Sequence, residues 1–163
     1  MIRKLLLIIV VCIISAGSAH AFIDKYTIKR EELPEKAQQM LDEHFPKAKI
    51  SMIKVDRHLL KKTDYDVKLT NGTFIEFNNS GQWTSIDCGK KSVPEAMLHK
   101  AIRNYVSKNY DGNKIVKFKK RNAGYDVGLS NGKSLRFNLL YQFKGEINDS
   151  EFESAEEETI IEE

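Results

Sequence analysis

Eight residues recur sixty positions apart with no gap: Tyr65, Asp66, Val67, Leu69, Asn71, Gly72, Phe77 and Asn78 are matched by Tyr125, Asp126, Val127, Leu129, Asn131, Gly132, Phe137 and Asn138. In both stretches apolar and polar residues alternate up to an Asn-Gly pair and again after it, the period of a half-buried strand on either side of a reversal. Side-chain direction then selects the loop. A two-residue Asn71-Gly72 loop would set Val67 opposite Glu76 and Lys68 opposite Ile75, mixing charge into the apolar face. A three-residue loop, Thr70-Asn71-Gly72, with Gly72 in the left-handed region and a bulge behind it, pairs Val67 with Ile75 and Tyr65 with Phe77. The same register pairs Val127 with Leu135 and Tyr125 with Phe137. Gly72 and Gly132 are therefore predicted structural turns. So is Gly81, whose Asn79-Ser80-Gly81 loop sets Phe77 opposite Trp83 and adds a strand through about Ile86.

A helical pattern and a strand precede each hairpin. Leu33, Ala37, Met40, Leu41 and Phe45 share one stripe of a helix that Pro34 opens in its first turn and Pro46 stops. Ile50 to Leu60 reads as a strand. Ser92 and Glu95 have capping-box spacing ahead of Val93, Met97, Ala101, Ile102 and Tyr105, and Asp111-Gly112-Asn113 turns the chain into a strand from Lys114 to Arg121. The expected fold class is α+β, a tandem repeat of one helix followed by a four-stranded antiparallel meander sheet, each sheet burying one face under its helix and leaving the other wet.

The expected division is a leader (residues 1–21), a lead-in (22–32) that is an extra strand or a loose arm, a first unit (33–88), a linker (89–91), a second unit (92–147) and an acidic tail (148–163). The two units part at Leu139-Leu140-Tyr141, which stand where the first has Asn79-Ser80-Gly81. Three large apolar residues at a loop tip imply packing against the other unit, the preferred reading, or a contact surface. The Glu-rich tail is expected as disordered chain or frayed helix, with docking the lesser reading.

Arg3 and Lys4, the apolar run from Leu5 to Ile14 and Ala19-His20-Ala21 have the form of a cleavable secretory leader, so the mature chain is expected to begin near Phe22 in a periplasmic or secreted location. The run is short for a bilayer span, and Val11 before Cys12 does not suit lipid attachment. With Cys12 removed, Cys88 is alone and no internal disulfide is available. A half-buried structural thiol is the preferred reading over a nucleophile or an intermolecular bridge. The formal charge of +3 includes Arg3 and Lys4, which leaves the mature chain near neutrality and removes any global electrostatic case for nucleic acid.

Little in the sequence reads as chemistry. His44, His58 and His99 are scattered without metal-ligand spacing, and no phosphate loop, zinc-protease motif or nucleophile elbow occurs. Asp66 and Asp126 fall on a polar strand face, where a solvated carboxylate is ordinary. No catalytic residue, metal or cofactor is expected. Lys54, Arg57, Lys61, Lys62 and Lys68, with Lys114, Lys117, Lys119, Lys120 and Arg121, cluster on the first strand and turn of each unit. They form the lysine protection of a solvated sheet edge, the preferred reading, or a positive stripe for an acidic partner surface or a polyanion. Tyr65, Phe77, Trp83, Tyr125, Phe137 and Phe143 share the apolar face and read as core, with Phe74 opposite. The candidate interaction surface is thus Lys54, Arg57, Lys61, Lys62, Lys68, Phe74, Lys117, Lys119, Leu139, Leu140 and Tyr141.

Taken together, the leader, Leu33-Pro34 and Val93-Pro94 opening the helices, Tyr65-Asp66-Val67 with Asn71-Gly72, Ile75-Glu76-Phe77 with Gly81 and Trp83, and the second copy through Phe143 form a pattern that resembles the PepSY-like family of small secreted bacterial proteins, also described as β-lactamase-inhibitor-like. The resemblance spans Leu33 to Ile147 and rests on turn and core residues, so it speaks to fold more than to activity. It implies an inhibitor-like two-lobed arrangement, no catalytic residue and an association with peptidase restraint. The expected function is a non-enzymatic secreted or periplasmic binding module that restrains a hydrolase or peptidase through protein–protein contact. The alternative is a periplasmic sensor of a small ligand or of envelope stress, with its ligand between the lobes. The expected partner is a protein rather than nucleic acid, with no stable membrane span once the leader is removed.

Overall fold

A computed structural model describes residues 24–57 and 63–153. The expected leader, Lys61, Lys62, His58 and tail residues 154–163 lie outside the described residues. Strand alternation is carried through to one uninterrupted row of side chains. Thr27, Ile53, Val67, Ile75, Ile86, Phe118, Val127, Leu135 and Glu146 stand side by side as successive cross-strand partners. The seven between the two ends are all buried. Each such side chain contributes roughly 1.5–3 kcal/mol when removed from water, so this row is the spine of the core.

The strands that carry it are β1 (Lys25–Thr27), β2 (Ile50–Asp56), β3 (Asp64–Leu69), β4 (Phe74–Phe77), β5 (Trp83–Asp87), β6 (Ile115–Arg121), β7 (Gly124–Leu129), β8 (Ser134–Asn138) and β9 (Phe143–Ile147), in one antiparallel sheet whose spatial order is the chain order. Helix α1 (Glu35–His44) lays Ala37, Met40 and Leu41 on the buried face, and α2 (Lys100–Asn109) lays Ile102 and Val106 there. A third short helix, α3 (Asp149–Glu153), follows β9.

The expected tandem of two helix-plus-four-strand lobes is therefore corrected. The chain forms a single nine-stranded sheet, mostly strand, with three short helices among the described residues. Two facts produce the difference. β5 and β6 pair through Ser85–Lys119, Ile86–Phe118 and Asp87–Lys117, because an edge strand left open would expose its unpaired backbone groups. The lead-in supplies a ninth strand, β1, on the edge of β2. The sixty-position match also stops short of the helices: Glu35 and Lys100, like Ile50 and Ile115, open corresponding elements sixty-five positions apart. The connection 57–63 between β2 and β3 is longer than Asn122-Ala123 between β6 and β7, and that accounts for the change of offset.

Within the hairpins the register follows the alternation. Val67 pairs with Ile75 and Tyr65 with Phe77, Val127 with Leu135 and Tyr125 with Phe137, and Phe77 with Trp83. Gly72 and Gly132 adopt φ of 88° and 85°, and each donates its N–H to the leucine three residues back, at 3.0 Å.

Helix entry differs from expectation. Pro34 precedes α1 rather than sitting in its first turn, with ψ of 148°. Ser92 and Glu95 form no capping box. Glu95–Met97 is a separate 3-10 turn, and α2 starts only at Lys100, capped by the His99 side chain accepting from the Ala101 N–H at 3.3 Å. Glu95 instead accepts from Arg103 Nη1 at 2.7 Å. Among the described residues no helix is long and apolar enough to cross a membrane.

Candidate interaction surface

The face turned away from the helices carries a second row, offset by one residue from the buried one: Tyr26, Lys54, Asp66, Glu76, Ser85, Lys119, Asp126, Arg136 and Gly145. Its two halves differ in cover. On β2–β5, Lys54, Asp66, Phe74 and Glu76 keep partial solvent access and Lys68 is exposed. Lys54 Nζ lies 2.9 Å from Asp56 and 3.3 Å from Asp24, and the hydrogen bond to Asp56, followed by that to Asp24, holds its ammonium above the usual lysine range.

On β6–β8 the same face is covered by α3. Asp126 is fully buried, accepting from Arg121 Nη1 at 2.6 Å and from Arg136 Nε at 2.9 Å. Lys119 is 6% exposed. The same cations reach the main chain of α3: Arg121 Nη1 donates to the Glu151 carbonyl at 3.1 Å, Arg136 Nη2 to that carbonyl at 3.5 Å, and Lys119 Nζ to the Glu153 carbonyl at 3.4 Å. Phe152 is buried, with Lys117 Nζ 5.7 Å from its ring centre. The start of the acidic tail is thus a docked helix rather than loose chain. The sequence signal for it is thin, a single Phe152 within a glutamate run.

The second feature is the tip between β8 and β9. Asn78–Gly81 and Asn138–Tyr141 form the same turn: the N–H of Gly81 or Tyr141 donates to the carbonyl three residues back at 2.9 Å, and each asparagine Oδ1 accepts from two further backbone N–H groups. Gly81 has φ of 76°, and Tyr141 holds the same left-handed region at 59°, the one non-glycine to do so among the described residues. A side chain there costs on the order of 1–2 kcal/mol. The Tyr141 ring offsets this by stacking on His99 at 3.7 Å and on Tyr125 at 5.0 Å. The hydrogen bond to Tyr141 pushes the Tyr125 phenol up. Leu139 and Leu140, by contrast, are 58% and 74% exposed. The preferred packing of this trio against the other half is met by neither leucine, and Tyr141 packs within its own half.

Of the remaining candidates, Arg57 is exposed, and Lys117 spans from Asp87, at 3.2 Å, toward Phe152. The stem of Lys117 lies over Gly128, where an added Cβ would meet it at 2.9 Å. Lys120 points to the helix side and places its ammonium 3.6 Å from the Trp83 ring centre. The aromatic residues read as core do pack against it: Phe77 and Phe137 are buried, and Tyr65, Trp83, Tyr125 and Phe143 line its margin.

Cys88 is buried, and burial pushes its thiol up, the opposite of what an activated nucleophile requires. His99 is occupied as a helix cap. At the end of α2, Tyr110 donates to Glu146 at 2.8 Å; burial first, then this bond, push its phenol up to about 12. Lys133 and then Tyr110 hold the Glu146 carboxyl below the usual range.

No curated protein matches the chain. A crystal structure from Bacteroides vulgatus ATCC 8482, titled "a putative periplasmic protein of unknown function", is 37% identical with a TM-score of 0.74, covering 77% of this chain and all of that one. One from Bacteroides thetaiotaomicron, titled "a putative calcium-regulated periplasmic protein", is 34% identical with a TM-score of 0.71, covering 77% of this chain and 97% of that one. A further B. vulgatus protein, titled "a putative periplasmic protein from DUF2874 family", is also 34% identical with a TM-score of 0.71, over 80% of this chain and the whole of that one. The family described as "Putative beta-lactamase-inhibitor-like, PepSY-like" matches residues 63–149, more than half of the sequence, and the chain belongs to it.

Proposed function

We propose that this protein is a non-enzymatic periplasmic binding module that works through protein–protein contact, with a hydrolase or peptidase that it restrains as its partner. The observation that carries the reading is the β8–β9 tip. Two adjacent leucines, 58% and 74% exposed, sit on a turn that accepts backbone strain at Tyr141 rather than use the glycine found at the equivalent Gly81. Exposed apolar side chains fixed on a rigid turn suit a protein partner, and strain retained at one point of a fold points to use. The inhibitor-like description of the family supports restraint of an enzyme, and the periplasmic description of the similar structures supports the periplasm. Calcium regulation belongs to one relative's title; among the described residues no three His, Cys, Asp or Glu side chains gather to hold a metal ion.

The test is a photocrosslinking residue at position 140 in cells secreting the full chain, set against the Leu139→Asp/Leu140→Asp double variant. A discrete envelope protein is expected to crosslink at position 140, and its hydrolytic activity to fall when the purified module is added. The double variant, which carries no crosslinker, should lose the inhibition while its Tm stays within a few degrees. Absence of any crosslinked protein, or undiminished inhibition by the double variant, overturns the reading.

A further inference from the structure

We propose that the outer face of β6–β8 is a receptor for an acidic peptide segment with an aromatic anchor, and that α3 is its resident occupant, displaced when a partner's acidic segment takes the seat. The inference rests on the reading of the protein as a protein-binding module and names a second surface and its ligand chemistry.

Three observations carry it. First, α3 is no part of the core. Phe152 is buried, yet it lies outside the cluster that unites both helices with the sheet. The described part of α3 is tied to the sheet by the donors of β6 and β8 and by burial of Phe152, so the seat holds it there. Second, the seat recognises general features. Arg121, Arg136 and Lys119 donate to main-chain carbonyls of Glu151 and Glu153, Lys117 approaches both the Phe152 ring and the Glu153 carboxylate at 4.0 Å, and the glutamate run supplies charge of the opposite sign. Another acidic segment with one aromatic residue would satisfy the same donors.

Third, the seat is preorganised. Asp126 fixes three arginine nitrogens from beneath, Arg121 Nη1 and Arg136 Nε and Nη2, and Gly128 leaves the space into which the Lys117 stem lies flat. At the equivalent place the first hairpin has Lys68, exposed and uncovered. When α3 leaves, the groups it uncovers are mainly charged ones that water accepts, so opening leaves the core intact. A tethered occupant acts at high effective concentration, so a free partner must bind well to displace it.

The experiment uses a fluorescent peptide of residues 148–163 and the full chain. Phe152→Ala, which frees the seat, is expected to bind the peptide at least tenfold more tightly than the wild type, with affinity falling as salt rises. Adding Arg121→Ala and Arg136→Ala to that variant should abolish binding. An unrelated glutamate-rich peptide with one phenylalanine should compete. Equal binding by wild type and Phe152→Ala, binding that survives loss of both arginines, or competition by the chain's own tail alone overturns the receptor. If Phe152→Ala does not fold, amide exchange of the wild type decides: α3 amides exchanging at least a hundredfold faster than those of β7 support a detachable occupant, and exchange at the β7 rate overturns it. Leu139 and Leu140 take no part, so failure of the tip as a contact would leave every one of these readouts unchanged.

Discussion

The halves of the sheet on either side of the β5–β6 pairing share turns and registers but part at three matched places: Tyr141 replaces Gly81, Tyr110 replaces Phe45, and the shared aspartate, Asp66 or Asp126, keeps partial solvent access in the first half and is fully buried in the second. In the first half the turn has its glycine, the helix ends on a buried phenylalanine and the aspartate keeps partial solvent access. In the second, a ring stacks on His99, a phenol donates to Glu146 and the aspartate is enclosed between two arginines. The lesson is that shared strand registers fix a scaffold and leave its surface free, and that specialisation here is confined to one side of the molecule.

The comparison can be broken most sharply at Gly81. An added Cβ would meet the Pro34 Cβ at 2.8 Å and the Ala37 nitrogen at 2.9 Å, in a left-handed conformation. Gly81→Ala is therefore expected to lose about 2–5 kcal/mol in urea unfolding, although the matched turn carries a tyrosine. Next in size is Asp126→Ala, which leaves two arginines without their shared carboxylate. Both keep some solvent access, so we expect about 2–3 kcal/mol, against less than about 1 kcal/mol for Asp66→Ala on the uncovered half.

At Tyr141 the two effects can be separated. Tyr141→Ala keeps the strain and loses the stack, Tyr141→Gly loses both, and the alanine variant should be the less stable by about 1 kcal/mol. The smallest effect is alkaline. The Tyr110 phenol is raised to about 12 in the folded chain, so its contribution is intact below the unfolded value of about 10 and is lost as pH rises from there through the folded value. Tyr110→Phe, which restores the residue type of Phe45, should remove this part of the loss when urea midpoints at pH 9 and pH 12 are compared.

How much of this could be read from the chain follows from the range of each signal. Hairpin registers were legible because alternation and an Asn-Gly turn act over a dozen residues, as the Val67–Ile75 and Val127–Leu135 pairs show. The β5–β6 pairing was not, because nothing in Trp83–Asp87 says which distant strand will satisfy its open edge. The start of α2 was misplaced since Ser92 and Glu95 have capping spacing, while the cap in use is His99, a residue with low prior for that role. The exposed tip was visible as three large residues where a glycine turn belonged, but exposure of the leucines and partial burial of the tyrosine depend on a ring stack that sequence does not announce. Docking of α3 hung on Phe152 alone.

The order of the strands has one mechanical consequence. With β1 at one margin and β9 at the other, a force drawing the margins apart loads inter-strand hydrogen bonds one rung at a time instead of all together. The molecule should therefore peel open under modest tension, like a zip fastener, even where its resistance to heat is ordinary.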